Sequence, residues 1–299
     1  MYRSSLVPLD GSLPSEQSLP YAASLARRSG AALQLAYVHT PLLLGEGVMY
    51  LGTPDVHLWE EEKQYLLRVV DRLKKAGLEK VSAQVLEGTI TETLQEHALD
   101  EGCDLVVMTT HGRGPVSRFW LGSVADQLVH RLPIPLLLIR TREEEAPTAS
   151  EPEVRNVLVA LDATPTAEQI LEPAGGLAKV LGASLTLLRV VPLVVPHVVY
   201  TEAAVSTTLA DKLRAEAHVY LKRLAGSLRD QGIAVQTRII AHNHPATAIL
   251  NEAASGEYGM LALETHGRRG LPRLFLGSVA DKVVRGATVP VLVHRCLPD

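Results

Sequence analysis

Two tandem α/β domains, each an open parallel sheet wound with helices, are what this sequence predicts, and three observations predict them. The chain has 299 residues, about twice the ~150 of an ordinary domain. Its apolar content is 46% with only 4% aromatic, carried by Leu, Val and Ala, as strands covered on both faces require. Finally, the chain repeats itself. Thr110-His111-Gly112-Arg113 returns as Thr265-His266-Gly267-Arg268, and Leu121-Gly122-Ser123-Val124-Ala125-Asp126 returns as Leu276-Gly277-Ser278-Val279-Ala280-Asp281, both 155 residues later. One unit has been duplicated.

In each copy short apolar runs alternate with longer amphipathic stretches, the rhythm of β-α-β units. Strands are predicted in the first copy at 5–9, 33–39, 80–86, 105–109 and 135–140. The second copy supplies 156–161, 184–190, 234–240, 260–263 and 289–294. Helices fill the gaps, among them 15–29 and 60–76, the latter with Tyr65, Val69, Leu73 and Ala76 on one face. Between the copies, residues 142–153 are charged, small and twice interrupted by proline, which suits a solvated linker. The expected division is a domain over 1–141, the linker 142–153 and a domain over 154–299.

Composition narrows the function classes. A formal net charge of -4 with interspersed signs lacks the basic stripe of a nucleic-acid binder. No run approaches the ~18 apolar residues that span a bilayer. Cys103 and Cys296 stand outside any CxxC or Cys/His pattern. The expectation is a cytoplasmic protein with reduced thiols, binding neither nucleic acid nor membrane.

In an open parallel sheet, ligands bind at the carboxyl ends of the strands where the strand order reverses. The first strand of each copy runs into Asp10 or Asp162. Such a carboxylate can accept from an adenine amino group or a ribose hydroxyl, or it can cap the following helix. The fourth strand leads into His111-Gly112, then nine residues, then Gly122-Ser123. Glycines admit a bulky anion close to the backbone, and Ser123 would open a helix whose N–H groups attract phosphate. The competing reading is a capping box, since Ser123 with Asp126 and Ser278 with Asp281 have its spacing. No GxxxxGK[ST] exists, and no GxGxxG follows the first strand. His111 and His266 lack triad or metal partners, and His242-Asn243-His244 reads as a strand-to-helix turn rather than a metal site. No catalytic residue and no metal ligand is assigned. Arg113 lies beside the glycine loop, where it could meet phosphate oxygens.

These residues resemble the universal stress protein family, a branch of the adenine nucleotide alpha hydrolase-like folds, over nearly all of both copies. Its ATP-binding members carry Gly-x2-Gly-x9-Gly-[Ser/Thr]. The pattern falls on Thr109, Gly112, Gly122 and Ser123 in the first copy, and on Glu264, Gly267, Gly277 and Ser278 in the second. The resemblance implies strand order 3-2-1-4-5 in each five-stranded sheet. It implies that Asp10 and Asp162 hold the base or ribose, that Val38 and Val190 touch adenine, and that Gly122-Ser123-Val124 and Gly277-Ser278-Val279 meet phosphates. Related domains pair through their last strands, so 134–140 and 289–294 are expected to form an intramolecular pseudo-dimer, with a homodimer the alternative. The function implied is an ATP-binding sensor or regulator of stress or energy state, with or without Mg, with slow hydrolysis at most, acting on an unidentified protein partner. Two other readings stay open: a nucleotide-free interaction module, and an adenylate-using enzyme.

Both copies depart from the pattern at its first glycine. Thr109 is uncharged, whereas Glu264 brings a carboxylate toward the phosphates. At an effective dielectric near 20 this costs on the order of a few kcal/mol, so the second copy is expected to bind ATP about a hundredfold more weakly unless a cation or Arg268 intervenes. The segments 41–59 and 192–200 are apolar for connections. Both are expected to cover the nucleotide or to join another subunit.

Overall fold

The computed structural model describes residues 2–40, 56–110, 121–140, 151–193, 203–265 and 277–295. It divides into two units, Met1–Pro152 and Glu153–Asp299. In the first, the elements in chain order are β1 (Ser4–Pro8), α1 (Leu13–Glu16), α2 (Leu19–Ser29), β2 (Ala32–His39) and α3 (Val56–Lys75). They continue with β3 (Val81–Glu87), α4 (Ile90–Asp100), β4 (Leu105–Thr109), α5 (Ser123–Arg131) and β5 (Leu136–Ile139). All strand pairs are parallel and the order is β3-β2-β1-β4-β5. The second unit repeats the plan with β6 (Asn156–Leu161), α6 (Pro165–Glu168), α7 (Leu171–Leu181), β7 (Ser184–Val191) and α8 (Ala203–Asp230). There follow β8 (Val235–Ala241), α9 (Pro245–Ala253), β9 (Met260–Glu264), α10 (Ser278–Gly286) and β10 (Val291–His294). Its order is β8-β7-β6-β9-β10, again parallel.

Every residue of β4, β5 and β9 is buried. Because successive side chains point to opposite faces, both faces of these sheets must be covered. That is why the strands read as unbroken apolar runs. The edge strand β3 is instead only partly covered, with Ser82, Gln84 and Glu87 exposed and Val81 and Leu86 buried. Leu6, Leu33, Leu105 and Leu137 form part of the first core, and Leu158, Leu185, Leu261 and Leu292 part of the second. Truncating one of them, such as Leu105→Ala, would cost about 2–5 kcal/mol.

The helix expected over 15–29 is broken into α1 and α2. Pro20 has no N–H to donate and its ring would strike the carbonyl four residues earlier, so the chain restarts at Leu19 with Pro20 in the first turn. Gly30 ends α2 at φ 70° and returns its N–H to the Ala26 carbonyl; Gly182 ends α7 in the same way at φ 67°. Both are left-handed closures that glycine adopts without strain. On α3, Val69 and Leu73 are buried as the spacing predicts, whereas Ala76 lies beyond the helix and is exposed. Within the segment expected to be a linker, Glu151 is held by Arg27 (Nε, 2.9 Å) and Arg28 (Nη2, 3.3 Å).

Candidate functional site

Asp10 is separated from the end of β1 by Leu9, and Asp162 directly follows β6; each braces its own turn. Asp10 Oδ1 accepts from the Ser12 N–H at 3.0 Å and the Ser12 hydroxyl at 2.6 Å. Asp162 Oδ1 does the same with Thr164, at 3.0 and 2.6 Å. The helix caps are Ser12 and Thr164, which accept from Ser15 N at 3.3 Å and Ala167 N at 3.1 Å. The aspartates therefore do not cap; they orient the residues that do. A carboxylate has about four acceptor positions, so this bracing does not exhaust its capacity.

Strand register sets the neighbours. Pro8 pairs with Ala36 and Leu161 with Arg189, which brings Asp10 beside Val38 and Asp162 beside Val190 at adjoining strand ends. Val38 is half-buried and Val190 buried. On the other side of β1 lies β4, ending in the buried Thr109. The order thus reverses at β1, and the chain's three strand-end candidates of the first unit flank that point.

The glycine-serine pairs start helices, but not as a capping box. Gly122 and Gly277 are themselves the N-caps of α5 and α10, with no side-chain cap bond, and Ser123 and Ser278 are the first helical residues. A serine already inside the helix cannot take the N-cap role, so the Ser-x-x-Asp spacing is not explained by capping. Each glycine N–H returns to the strand exit, Gly122 to the Thr110 carbonyl at 2.8 Å and Gly277 to the Thr265 carbonyl at 3.0 Å. A Cβ on Gly277 would stand 3.3 Å from that same carbonyl oxygen. Close backbone approach thus favours glycine there, and the first-turn amides, including those of Val124 and Val279, are left without a side-chain cap. Gly112, Arg113, Gly267, His111 and His266 lie outside the described residues, as do 41–55 and 194–200 of the two apolar connections.

Two acid-histidine pairs at strand ends escaped the sequence reading. Glu264 sits opposite His294 in the β9-β10 register, and its carboxylate, 1% exposed, meets His294 Nδ1 at 2.8 Å. The equivalent partners in the first unit are Thr109 and Ile139. The Glu264 carboxylate is therefore in contact with His294 rather than isolated at the strand end. In the first unit, His39 at the end of β2 meets Glu62 of α3 at 2.8 Å, both side chains 8% exposed. The corresponding residues of the second unit are Val191 and Ala217, both buried. Glu264 was visible as a departure from the glycine pattern, whereas His294, His39 and Glu62 showed only as differences between the copies at Ile139, Val191 and Ala217.

His242 Nδ1 accepts from the His244 N–H at 2.9 Å within the turn before α9, so that nitrogen is used locally. Cys103 is buried beside Ser4, and burial pushes its thiol pKa up, with the Ser4 hydroxyl opposing. It is a poor nucleophile.

The fold is that of an α/β protein with an open parallel sheet, and the candidate residues lie at its strand-order reversal. The family model of the universal stress protein family matches residues 1–140 and 153–295. The chain belongs to that family, as a tandem two-domain member. It is 28% identical over 298 residues to universal stress protein Rv2005c of Mycobacterium tuberculosis, covering 97% of this chain and 96% of that one. Rv1996 of the same organism is 27% identical over 314 residues, covering 98% and 95%. Among solved structures, a universal stress protein from Archaeoglobus fulgidus superposes with TM-score 0.68 at 20% identity, covering 98% of this chain and 96% of that chain. Among the described residues, no helix is long and apolar enough to cross a membrane.

Proposed function

We propose that the first unit binds an adenine nucleotide, ATP by its glycine pattern, and that the protein is a cytoplasmic sensor or regulator passing the state of that site to a protein partner. One observation carries the reading: a glycine-led helix start without a side-chain cap, at Gly122, stands in the same unit as Asp10 and Val38 at the strand-order reversal. In this reading Asp10 accepts from the sugar or base, Val38 packs on the base, Thr109 lies beside the sugar, and the amides of Ser123 and Val124 meet phosphate, with Gly112 and Arg113 completing the loop. Mg accompanying the triphosphate would be held chiefly by phosphate oxygens and water. Asp162, Val190, Gly267, Gly277, Ser278 and Val279 are the matching residues of the second unit. Hydrolysis, slow at most, is no part of the reading, and no residue is assigned as catalytic. Pairing through last strands, within the chain or between two chains, belongs to the same proposal.

For the second unit a nucleotide-free interaction module is the competing reading, favoured by the Glu264-His294 pair at the motif position. Mass spectrometry of ligand released from freshly purified protein, followed by calorimetric titration of ATP, tests both. We expect one tight site, abolished by Gly122→Glu. Absence of both released nucleotide and binding heat would sink the ATP reading, and two equally tight sites would remove the asymmetry.

A further inference from the structure

Each unit sets a tyrosine of its long helix against a glutamate that closes the short helix after its first strand. In the first unit Glu16 ends α1 and is buried. Its carboxylate accepts from the Tyr65 hydroxyl at 2.9 Å and pairs with the Arg72 guanidinium. Ser15, the preceding residue, donates to the Ser12 carbonyl at 2.8 Å and lies 3.5 Å from the Asp10 N–H. The Tyr65 ring meets Tyr37 edge-on, centroids 6.3 Å apart, and Tyr37 precedes Val38 in β2. Burial first, then the charges of Glu16 and Asp10, push the Tyr65 pKa up, so its hydroxyl remains a donor throughout the neutral range. A phenylalanine would serve the packing on Tyr37 equally well. The hydroxyl is there for Glu16, because a buried hydroxyl without a partner is destabilising.

We propose that Tyr65 is a positioning residue: through Glu16 and Ser15 it ties α3 to the turn carrying Asp10, and so fixes Asp10 and Val38 for a nucleotide's sugar and base. This rests on the nucleotide reading of the first unit. The second unit repeats the arrangement. Tyr220 and Glu168 occupy the matching places, and Arg223 Nη2 pairs with that glutamate at 2.8 Å. Burial first, then the Glu168 carboxylate, push the Tyr220 pKa up.

The test is Tyr65→Phe in the full chain, read by ATP calorimetry and by amide hydrogen exchange. We expect ATP affinity at the tight site to fall about tenfold and exchange at residues 10–16 to quicken, with β4 and β5 protected as before. Tyr220→Phe should change neither. Wild-type exchange at residues 10–16 in Tyr65→Phe overturns the proposal whether or not ATP binds. Unchanged affinity despite faster exchange also overturns it, as does a uniform loss of protection across the first unit, which would make Tyr65 a general stabiliser. If the wild-type protein takes no nucleotide, the binding reading fails, and the exchange data still decide whether Tyr65 holds the turn.

Discussion

Gly11 and Ala163 occupy the same place after the strand-end aspartate, at φ 80° and 67°. Glycine adopts this left-handed region freely, whereas an alanine there bears roughly 1 kcal/mol of steric cost. Gly11→Ala is therefore expected to destabilise the first unit, and Ala163→Gly to stabilise the second, each by about 1 kcal/mol in urea denaturation. The Glu264-His294 pair has larger consequences. Removing one partner of a buried pair leaves the other charge uncompensated, at about 3–5 kcal/mol, so His294→Ala should destabilise the second unit by about 3 kcal/mol. The double change Glu264→Thr with His294→Ile, which copies Thr109 and Ile139, should recover most of that and raise ATP affinity at the second site. A calorimetric titration showing no gain in the double variant would mean that charge at this position does not govern binding. Glu264 itself was legible as an anomaly in the motif. Its partner was not, because the two lie 30 residues apart in sequence and meet only through the β9-β10 register.

The central strands were readable because burial on both faces leaves an unbroken apolar run, and the repeat supplied each of them twice. Helix ends were harder. The apolar spacing over 15–29 carries the helix pattern through Pro20, and only the local clash of that ring divides it. The Ser-x-x-Asp spacing mimicked a capping box because a glycine immediately before the serine can take the cap position without contributing a side chain. Tyr65 and Glu16 had a signal that went unused, since both recur in the second copy as Tyr220 and Glu168. The His39-Glu62 contact between β2 and α3 makes a quantitative case for pairing across elements. Glu62→Ala alone should cost about 3 kcal/mol in guanidinium denaturation, while His39→Val with Glu62→Ala, reproducing Val191 and Ala217, should cost less than the single change. If the double variant is the less stable, the pair contributes more than the desolvation it imposes.

The two units share a plan and differ in chemistry, so ligand should separate them thermally. At a hundredfold excess over Kd a ligand adds about 2.7 kcal/mol to the unit that binds it, worth roughly 5–10 °C for a domain of ~150 residues. With ATP, differential scanning calorimetry is expected to move one transition upward and leave the other in place; a common shift of both would indicate two comparable sites. The two acid-histidine pairs also bear on how a duplicated gene can change. Each pair faces apolar or hydroxyl residues at the matching positions of the other copy. A recombination between the repeats with its breakpoint between codons 39 and 62, or between codons 264 and 294, would set a histidine or glutamate opposite a residue other than its present partner. Only an exchange that ends between the two positions separates the partners; one that carries both across, or removes both, leaves the position matched.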